Sequence, residues 1–221
     1  MAILCASRFF PPAETVAGEG PIGFGGQLSP EWLLDAYSHG IFPWPVGEPD
    51  WPVAWWSPDP RAIIELDRFH VPRRLRRTIR TGRFETTFDR DFAAVIRGCA
   101  TAPPRAGQTW ITPEMIDAYV RLAQLGHAHS VEVWTEGRLA GGAYGVSIGG
   151  LFAAESKFYR ARDASKVALA RLVEHLRQRG YALLDIQQLT PHTARFGAIE
   201  ISRREYLERL AEALTLPVTY C

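Results

Sequence analysis

The pattern of apolar and polar positions changes period several times along the chain, and each change marks an element. Near residue 180 it becomes a short apolar run. Tyr181, Ala182, Leu183 and Leu184, continued by Ile186 and Leu189, predict a buried strand. Asp185 and Gln187 fall inside that run. Side chains on a strand alternate faces, so these two are predicted to point the same way, about 6.6 Å apart along the backbone. A carboxylate in an apolar strand is costly unless paired or hydrogen-bonded. Asp185 is therefore either a core carboxylate tied to backbone amides or half of a catalytic pair at the end of a central strand.

Helical periods precede and follow. Ser29 as N-cap, Pro30 at the first position and Gly40 past the end bound a short helix with Trp32, Leu33, Ala36 and Tyr37 inward. A second covers residues 90–99, with Phe92, Val95, Ile96 and Cys99 inward. A third runs from the Thr112 cap and Pro113 to Gly126, with a stripe of Met115, Ile116, Tyr119, Leu122 and Ala123. From His127 the period becomes two. SVEVW, LAGGAYGVSI and LFAAESKFY, joined by turns at Glu136-Gly137 and Gly149-Gly150, predict an antiparallel meander. In its third strand Leu151, Ala153, Glu155 and Lys157 are assigned to one face, and Phe152, Ala154, Ser156 and Phe158 to the other. Glu155 is thus a second carboxylate emerging from an apolar strand. Asp163 or Ser165 caps the next helix, with Ala168, Leu169, Leu172, Val173 and Leu176 inward and Gly180 past its end. A capping box from Ser202 to Glu205 opens the last helix, whose Tyr206, Leu207, Leu210 and Leu214 face the core.

The N-terminal part has little regular pattern. Residues 8–27 form an extended Pro- and Gly-rich leader, and Gly20, Gly23, Gly25 and Gly26 fit no phosphate-loop spacing. Prolines interrupt any helix in residues 41–61, where Trp44, Trp51, Trp55 and Trp56 crowd together as a satellite core or a stacking surface. A polar, Pro-containing loop leads to Trp110. The whole reads as α+β, a mixed sheet covered by helices, with a Pro/Trp-rich part over residues 1–65 and a larger part over residues 66–221.

Charge changes the picture only locally. The 25 basic and 24 acidic residues nearly cancel, so bulk charge makes no case for nucleic acid. Residues 73–83, however, hold Arg73, Arg74, Arg76, Arg77, Arg80 and Arg83 with no acid among them. On a helix beginning near Pro72, Arg73, Arg76, Arg77 and Arg80 share a face suited to phosphates. Cys5, Cys99 and Cys221 have no metal spacing, their odd number argues against a disulfide framework, and no HExxH pattern occurs; no metal and no cofactor are expected. His129 reads as a structural hydrogen-bonder and His192 as a loop-fixing residue. Neither Ser156 nor Cys99 carries the local signature of an activated nucleophile. Without a signal peptide or a long apolar run, the cytosol is the expected compartment and no membrane partner is expected.

The strings FPPAETV, GFGGQLSPEWLLDAYSHGIFPW, WWSPDPRA, TWIT, LGHAHSVEVW, AESKFYR, DASKVAL, LLDIQQLTPHTARFGA and ISRREYL occur in this order. Together the chain resembles the leucyl/phenylalanyl-tRNA–protein transferases from about residue 10 to about residue 210. The resemblance implies an enzyme that moves leucine or phenylalanine from aminoacyl-tRNA to a protein beginning with Arg or Lys, marking it for degradation. It also implies a small N-terminal domain plus an acetyltransferase-like (GNAT) C-terminal domain. By the same resemblance Trp44 and Trp110 flank the terminal adenosine, and the arginine cluster meets the acceptor stem. Glu155, Asp185 and Gln187 match the family's acidic and amide positions. Ala143, Lys157 and Ile186 lie at the pocket for the transferred side chain, where the family often has Met, Met and Cys. Lys157 implies either pairing with a carboxylate such as Glu155 or an altered preference. A monomer is expected. One alternative is a coenzyme A-dependent acetyltransferase, but Arg162-Asp163-Ala164-Ser165 stands where its glycine-bearing pyrophosphate loop belongs. A non-enzymatic tRNA-binding module is the other, and it leaves Glu155, Asp185 and Gln187 unexplained.

Overall fold

The meander expected from the two-residue period is present as β6 (Ala128–Thr135), β7 (Arg138–Ile148) and β8 (Leu151–Tyr159). Its first turn places Glu136 at φ 51° and Gly137 at φ 71°, the positive pair that two-residue hairpin loops require. The computed structural model describes residues 4–16, 20–46, 51–102 and 109–221. Parts of the leader, of the Trp/Pro stretch and of the loop before Trp110 lie outside the described residues.

Four further strands extend the meander. They are β4 (Arg61–Ile64), β5 (Glu85–Phe88), β9 (Leu183–Gln187) and β10 (Ala198–Ile201), and the sheet order is β10-β4-β9-β8-β7-β6-β5. β8 and β9 pair in parallel, joined by α5 (Ala164–Arg179); parallel strands need such a crossover. The sheet is therefore mixed. Side-chain alternation divides the buried apolar residues into two clusters, one on each face. One face carries α1 (Pro30–Ser38), α3 (Phe92–Thr101), α4 (Pro113–Gln124) and α7 (Arg203–Leu214). The other carries α2 (Arg73–Arg80) and α5. This is the expected α+β architecture, three layers around one central sheet. α6 (Pro191–Ala194) is a single turn after β9. Among the described residues no helix is long and apolar enough to cross a membrane.

The helix ends form as their sequences dictate. Ser29 Oγ accepts from the Trp32 N–H at 3.4 Å and Thr112 Oγ1 from the Met115 N–H at 3.3 Å. Gly40, at φ 72°, lets the chain leave α1 sharply. It enters a small sheet ordered β1 (Gly23–Phe24), β3 (Ala54–Trp56) and β2 (Phe42–Pro43). Trp55 is buried there against Phe10 and Trp32, so for this residue the packing role holds. Trp51 is 60 % exposed.

Three features depart from the sequence reading. β4 lies in a stretch read as irregular, yet all four of its residues are buried between β10 and β9. A strand buried on both faces shows no alternation. A division at residues 65 and 66 thus leaves β4, from its N-terminal side, inside the sheet of its C-terminal side. β5 and β10, four residues each, were not anticipated at all. Finally, Phe152 and Phe158 do not share a face: they pack in opposite clusters. Gly145 pairs with Ala154 and Tyr144 with Ser156, so Glu155 is the extra residue of a β-bulge that resets the alternation.

Gly145 makes that bulge possible. A Cβ there would lie 2.3 Å from the Ala153 carbonyl oxygen and 2.5 Å from the Phe152 ring. Gly145→Ala is expected to cost about 1–3 kcal/mol in urea unfolding. Gly23→Ala, with nothing within 4 Å of the new methyl, should stay within about 0.5 kcal/mol. Equal stability of the two variants would show that the bulge is not held by close packing.

Candidate active site

Asp185 is fully buried near the end of β9, and so is Arg61 at the start of β4. The guanidinium binds the carboxylate through both oxygens, Nε to Oδ1 at 2.9 Å and Nη2 to Oδ2 at 2.6 Å. Tyr206, from α7, donates its hydroxyl to Oδ2 at 2.9 Å, and the Gln187 backbone N–H donates to Oδ1 at 2.9 Å. Arg61 also donates to the Gly40 carbonyl at 3.0 Å and lies between the rings of Phe42 and Tyr206. Burial alone would pull its pKa down; the Asp185 charge and hydrogen bonds, with Tyr206 and Glu155, together outweigh this and hold it above the usual range. Both carboxylate oxygens are thus occupied, and Asp185 is not among the residues that line the cavity beside Gln187.

The hydrogen bond to the Gln187 backbone has a geometric consequence. Gln187 sits at φ 58°, in the left-handed region that a non-glycine residue adopts at a cost of about 1–3 kcal/mol. Such a conformation persists where its surroundings over-determine it, and the Asp185 carboxylate is one of those surroundings. Asp185 and Gln187 therefore do not act as adjacent side chains. Asp185 holds the backbone, while the Gln187 side chain donates through Nε2 to Glu155 Oε1 at 3.2 Å.

Glu155 is placed by the bulge of β8. Tyr119, on the inward stripe of α4, donates to its Oε2 at 3.2 Å, and the Tyr119 hydroxyl lies 2.5 Å from that of Tyr37 on α1. Burial raises the Glu155 carboxyl most and the Asp185 charge adds to it. The Tyr37 and Tyr119 hydroxyls and the Arg61 charge oppose; the result is a pKa of about 7. That value suits a group exchanging protons near neutral pH.

Glu155 and Gln187 line a cavity of about 150 Å³. Trp44, Trp110, Ala143, Lys157 and Ile186 line it too, with Leu169 and Leu172 of α5. The expected pocket residues are thus brought together. The two tryptophans differ from expectation in one respect. Their rings stack on each other, centroids 4.8 Å apart at 16°, instead of standing apart to flank a base. A base between them needs two stacking layers, about 7 Å.

All six arginines of the 73–83 cluster are exposed, and none lines the cavity. Among the described residues no carboxylate forms a salt bridge with any of them. α2 packs on α5, and Asp163, at the N-cap position of α5, feels Lys166, Arg162 and Arg74. Closer to the cavity, burial and the charges of Lys157, Lys166 and Arg195 pull the His192 imidazole down to about 4. Of these cations Lys157 lines the cavity itself.

Sequence reading missed Arg61, Tyr206, Tyr119 and Tyr37. Arg61 follows Asp59-Pro60 and only opens its apolar run, so unlike Asp185 it does not stand out as a buried charge. The tyrosines read as ordinary core positions, because a helical stripe does not show where a hydroxyl ends.

A second cavity, about 440 Å³, adjoins the first across Trp44 and Gln188. Phe42, Trp56, Asp59 and Glu200 are among its walls.

A family model described as leucyl/phenylalanyl-tRNA protein transferase matches residues 63–211, and one for the N-terminal domain of that transferase matches residues 26–59. A leucyl/phenylalanyl-tRNA–protein transferase of Anaeromyxobacter sp. (strain Fw109-5) is 54 % identical over 209 residues, 94 % of this chain and 88 % of that one. Another, from Stutzerimonas stutzeri (strain A1501), is 51 % identical over 210 residues, 94 % of this chain and 92 % of that one. A fainter likeness, in fold, is to the ribosomal-protein-alanine N-acetyltransferase from Brucella melitensis biovar Abortus 2308. It has a TM-score of 0.37 and 14 % identity over 51 % of this chain and 85 % of that one.

The raised Glu155 carboxyl predicts how stability varies with pH. Between about pH 4.5 and about 7 the folded chain binds this proton more tightly than the unfolded chain. Stability contributed by the site is full below that window and is lost as pH rises through it. Glu155→Gln cannot titrate, so its unfolding free energy should fall less between these pH values than that of the parent. Parallel urea-unfolding series with the same slope would contradict the assignment.

Proposed function

The chain belongs to the leucyl/phenylalanyl-tRNA–protein transferases, and from that premise we propose how its own residues carry out the transfer. The reaction moves an amino acid from aminoacyl-tRNA to an N-terminal amine. A C–N bond forms at the aminoacyl carbonyl and the ester C–O bond breaks. The amine gives up a proton, and the departing ribose oxygen takes one.

A free α-amine has a pKa of about 7.7–8.0, so part of it is neutral near pH 7, and alignment supplies much of the rate. Gln187 does the aligning. Its Nε2–H is engaged by Glu155, which leaves Oε1 to accept a hydrogen bond from the amine and aim its lone pair. An amide cannot hold the proton; Glu155, with its carboxyl near 7, takes it. Asp185 is a positioning residue acting through the Gln187 backbone. The observation that carries this reading is the Glu155–Gln187 hydrogen bond in a cavity that Trp44 and Trp110 also line.

The transferred side chain enters the space beside Ala143, Leu169, Leu172 and Ile186. A cavity of about 150 Å³ holds a benzene-sized group, which fits leucine or phenylalanine, with Lys157 at its wall. The terminal adenosine parts Trp44 and Trp110 and stacks between them, worth about 1–3 kcal/mol per ring contact. Arg73, Arg74, Arg76, Arg77, Arg80 and Arg83 hold backbone phosphates without reading sequence, helped by Arg162 and Lys166. The acceptor begins with Arg or Lys, whose cationic side chain lies in the adjoining cavity near Asp59 and Glu200. The product is marked for degradation, in the cytosol. Neither a coenzyme A-dependent acetyltransferase nor a binding module without activity fits the family.

The test is single-turnover transfer from tRNA charged in turn with leucine, phenylalanine and other amino acids to peptides beginning with each residue, read by mass. Extension of Arg- and Lys-initiated peptides by leucine or phenylalanine is expected. Gln187→Ala should slow transfer by about 10²-fold or more. Affinity for charged tRNA should fall steeply with salt, and less steeply in Arg76→Ala/Arg77→Ala. Near-parent transfer by Gln187→Ala would remove it from the mechanism; a salt slope unchanged by the arginine substitutions would remove the helix.

A further inference from the structure

A cavity of about 810 Å³ lies elsewhere and shares no residue with the transfer cavity. At its wall three residues far apart in sequence meet: Asp89 just after β5, His129 on β6 and Cys221. Their ligand atoms lie within 4.8 Å of one another. Asp89 Oδ2 is 2.7 Å from His129 Nδ1 and 3.0 Å from Cys221 Sγ.

The hydrogen bonds around His129 point to a cation. Its Nε2 faces the Gly126 carbonyl at 3.2 Å, and a carbonyl can only accept, so Nε2 carries a proton. In a neutral ring Nδ1 then holds a lone pair, and that lone pair faces a carboxylate oxygen at 2.7 Å. Two acceptors at that distance need a proton or a metal ion between them. The surroundings match those of a metal-bound histidine, whose second nitrogen donates to a carbonyl and so fixes the ring. Asp89 is oriented too, its Oδ1 accepting the Ser130 N–H at 2.8 Å. Thiolate, imidazole and carboxylate together suit zinc and not magnesium or calcium. At zinc bond lengths of about 2.0–2.3 Å, tetrahedral ligand atoms stand about 3.3–3.5 Å apart, so the two short contacts to Asp89 Oδ2 open by about half an ångström to admit the ion. A catalytic cysteine is a poorer fit, because the thiol meets the carboxylate and not the imidazole.

We propose that Asp89, His129 and Cys221 bind one zinc ion, with the fourth position open to the cavity, and that the ion fastens the C-terminal segment to the edge of the large sheet. That segment is already docked. Tyr220 is buried, stacks on His129 with centroids 4.3 Å apart, donates to the Ser130 carbonyl and accepts from His175. The ion adds a covalent-strength tie one residue further on.

The test uses the full chain, freed of metal with a chelator and titrated with Zn²⁺ calorimetrically and with Co²⁺ optically. One ion per chain is expected, with a thiolate-to-cobalt band in the near ultraviolet. Cys221 is exposed, so Cys221→Ser should fold normally, lose the band and bind Zn²⁺ at least about 10-fold more weakly. Cys5→Ser should keep both. Zn²⁺ should raise the melting temperature of the parent and not that of Cys221→Ser. Absence of saturable binding, or a band and affinity unchanged in Cys221→Ser, would overturn the proposal.

Discussion

The buried pair of Arg61 and Asp185 is the constraint on which the site depends. Two charges out of water gain little net stability from each other, but removing either strands its partner, at about 3–5 kcal/mol. The pair therefore works mainly as a geometric lock. It joins β4 to β9, draws in Tyr206 of α7, and ties the turn after α1 through the Gly40 carbonyl. The N-terminal part and the large sheet are fastened at the point where β9 ends. The left-handed turn at Gln187, unfavourable by itself, is held there by the same carboxylate.

The two acids of the site are given different tasks by their surroundings. Asp185 faces a guanidinium and two further donors, the Tyr206 hydroxyl and the Gln187 N–H, so neither of its oxygens is left open to a substrate. Glu155 has hydroxyl and amide partners, no guanidinium against it, and a neighbouring negative charge, so its proton is held to about pH 7. Environments that separate two carboxyls in this way assign the fixed group and the proton carrier. The bulge that displaces Glu155 from the regular alternation of β8 is what lets it reach Tyr119 and Gln187 together.

Much of this was legible in the chain itself. Caps at Ser29 and Thr112, the glycine exits and the meander follow from local rules, and local rules read well. Asp185 stood out because a charge in an apolar run demands a partner. The partner did not stand out, since Arg61 opens a strand too short and too buried to show a period. The bulge at Glu155 was invisible because it depends on which residue of β7 faces it, and Gly145 alone gives no register. Nor can spacing reveal Asp89, His129 and Cys221 as neighbours; only the sheet edge and the docked Tyr220 bring them together.

The central claim is that Asp185 positions Gln187 while Glu155 carries the proton. The most direct measurement is the pH dependence of single-turnover transfer by Asp185→Asn. Asn keeps an oxygen for the Gln187 N–H but removes a negative charge that raises the Glu155 carboxyl, and it leaves Arg61 unopposed. Transfer should be slower, with its ascending limb retained and displaced below pH 7. Disappearance of that limb would make Asp185 the proton acceptor and contradict the account.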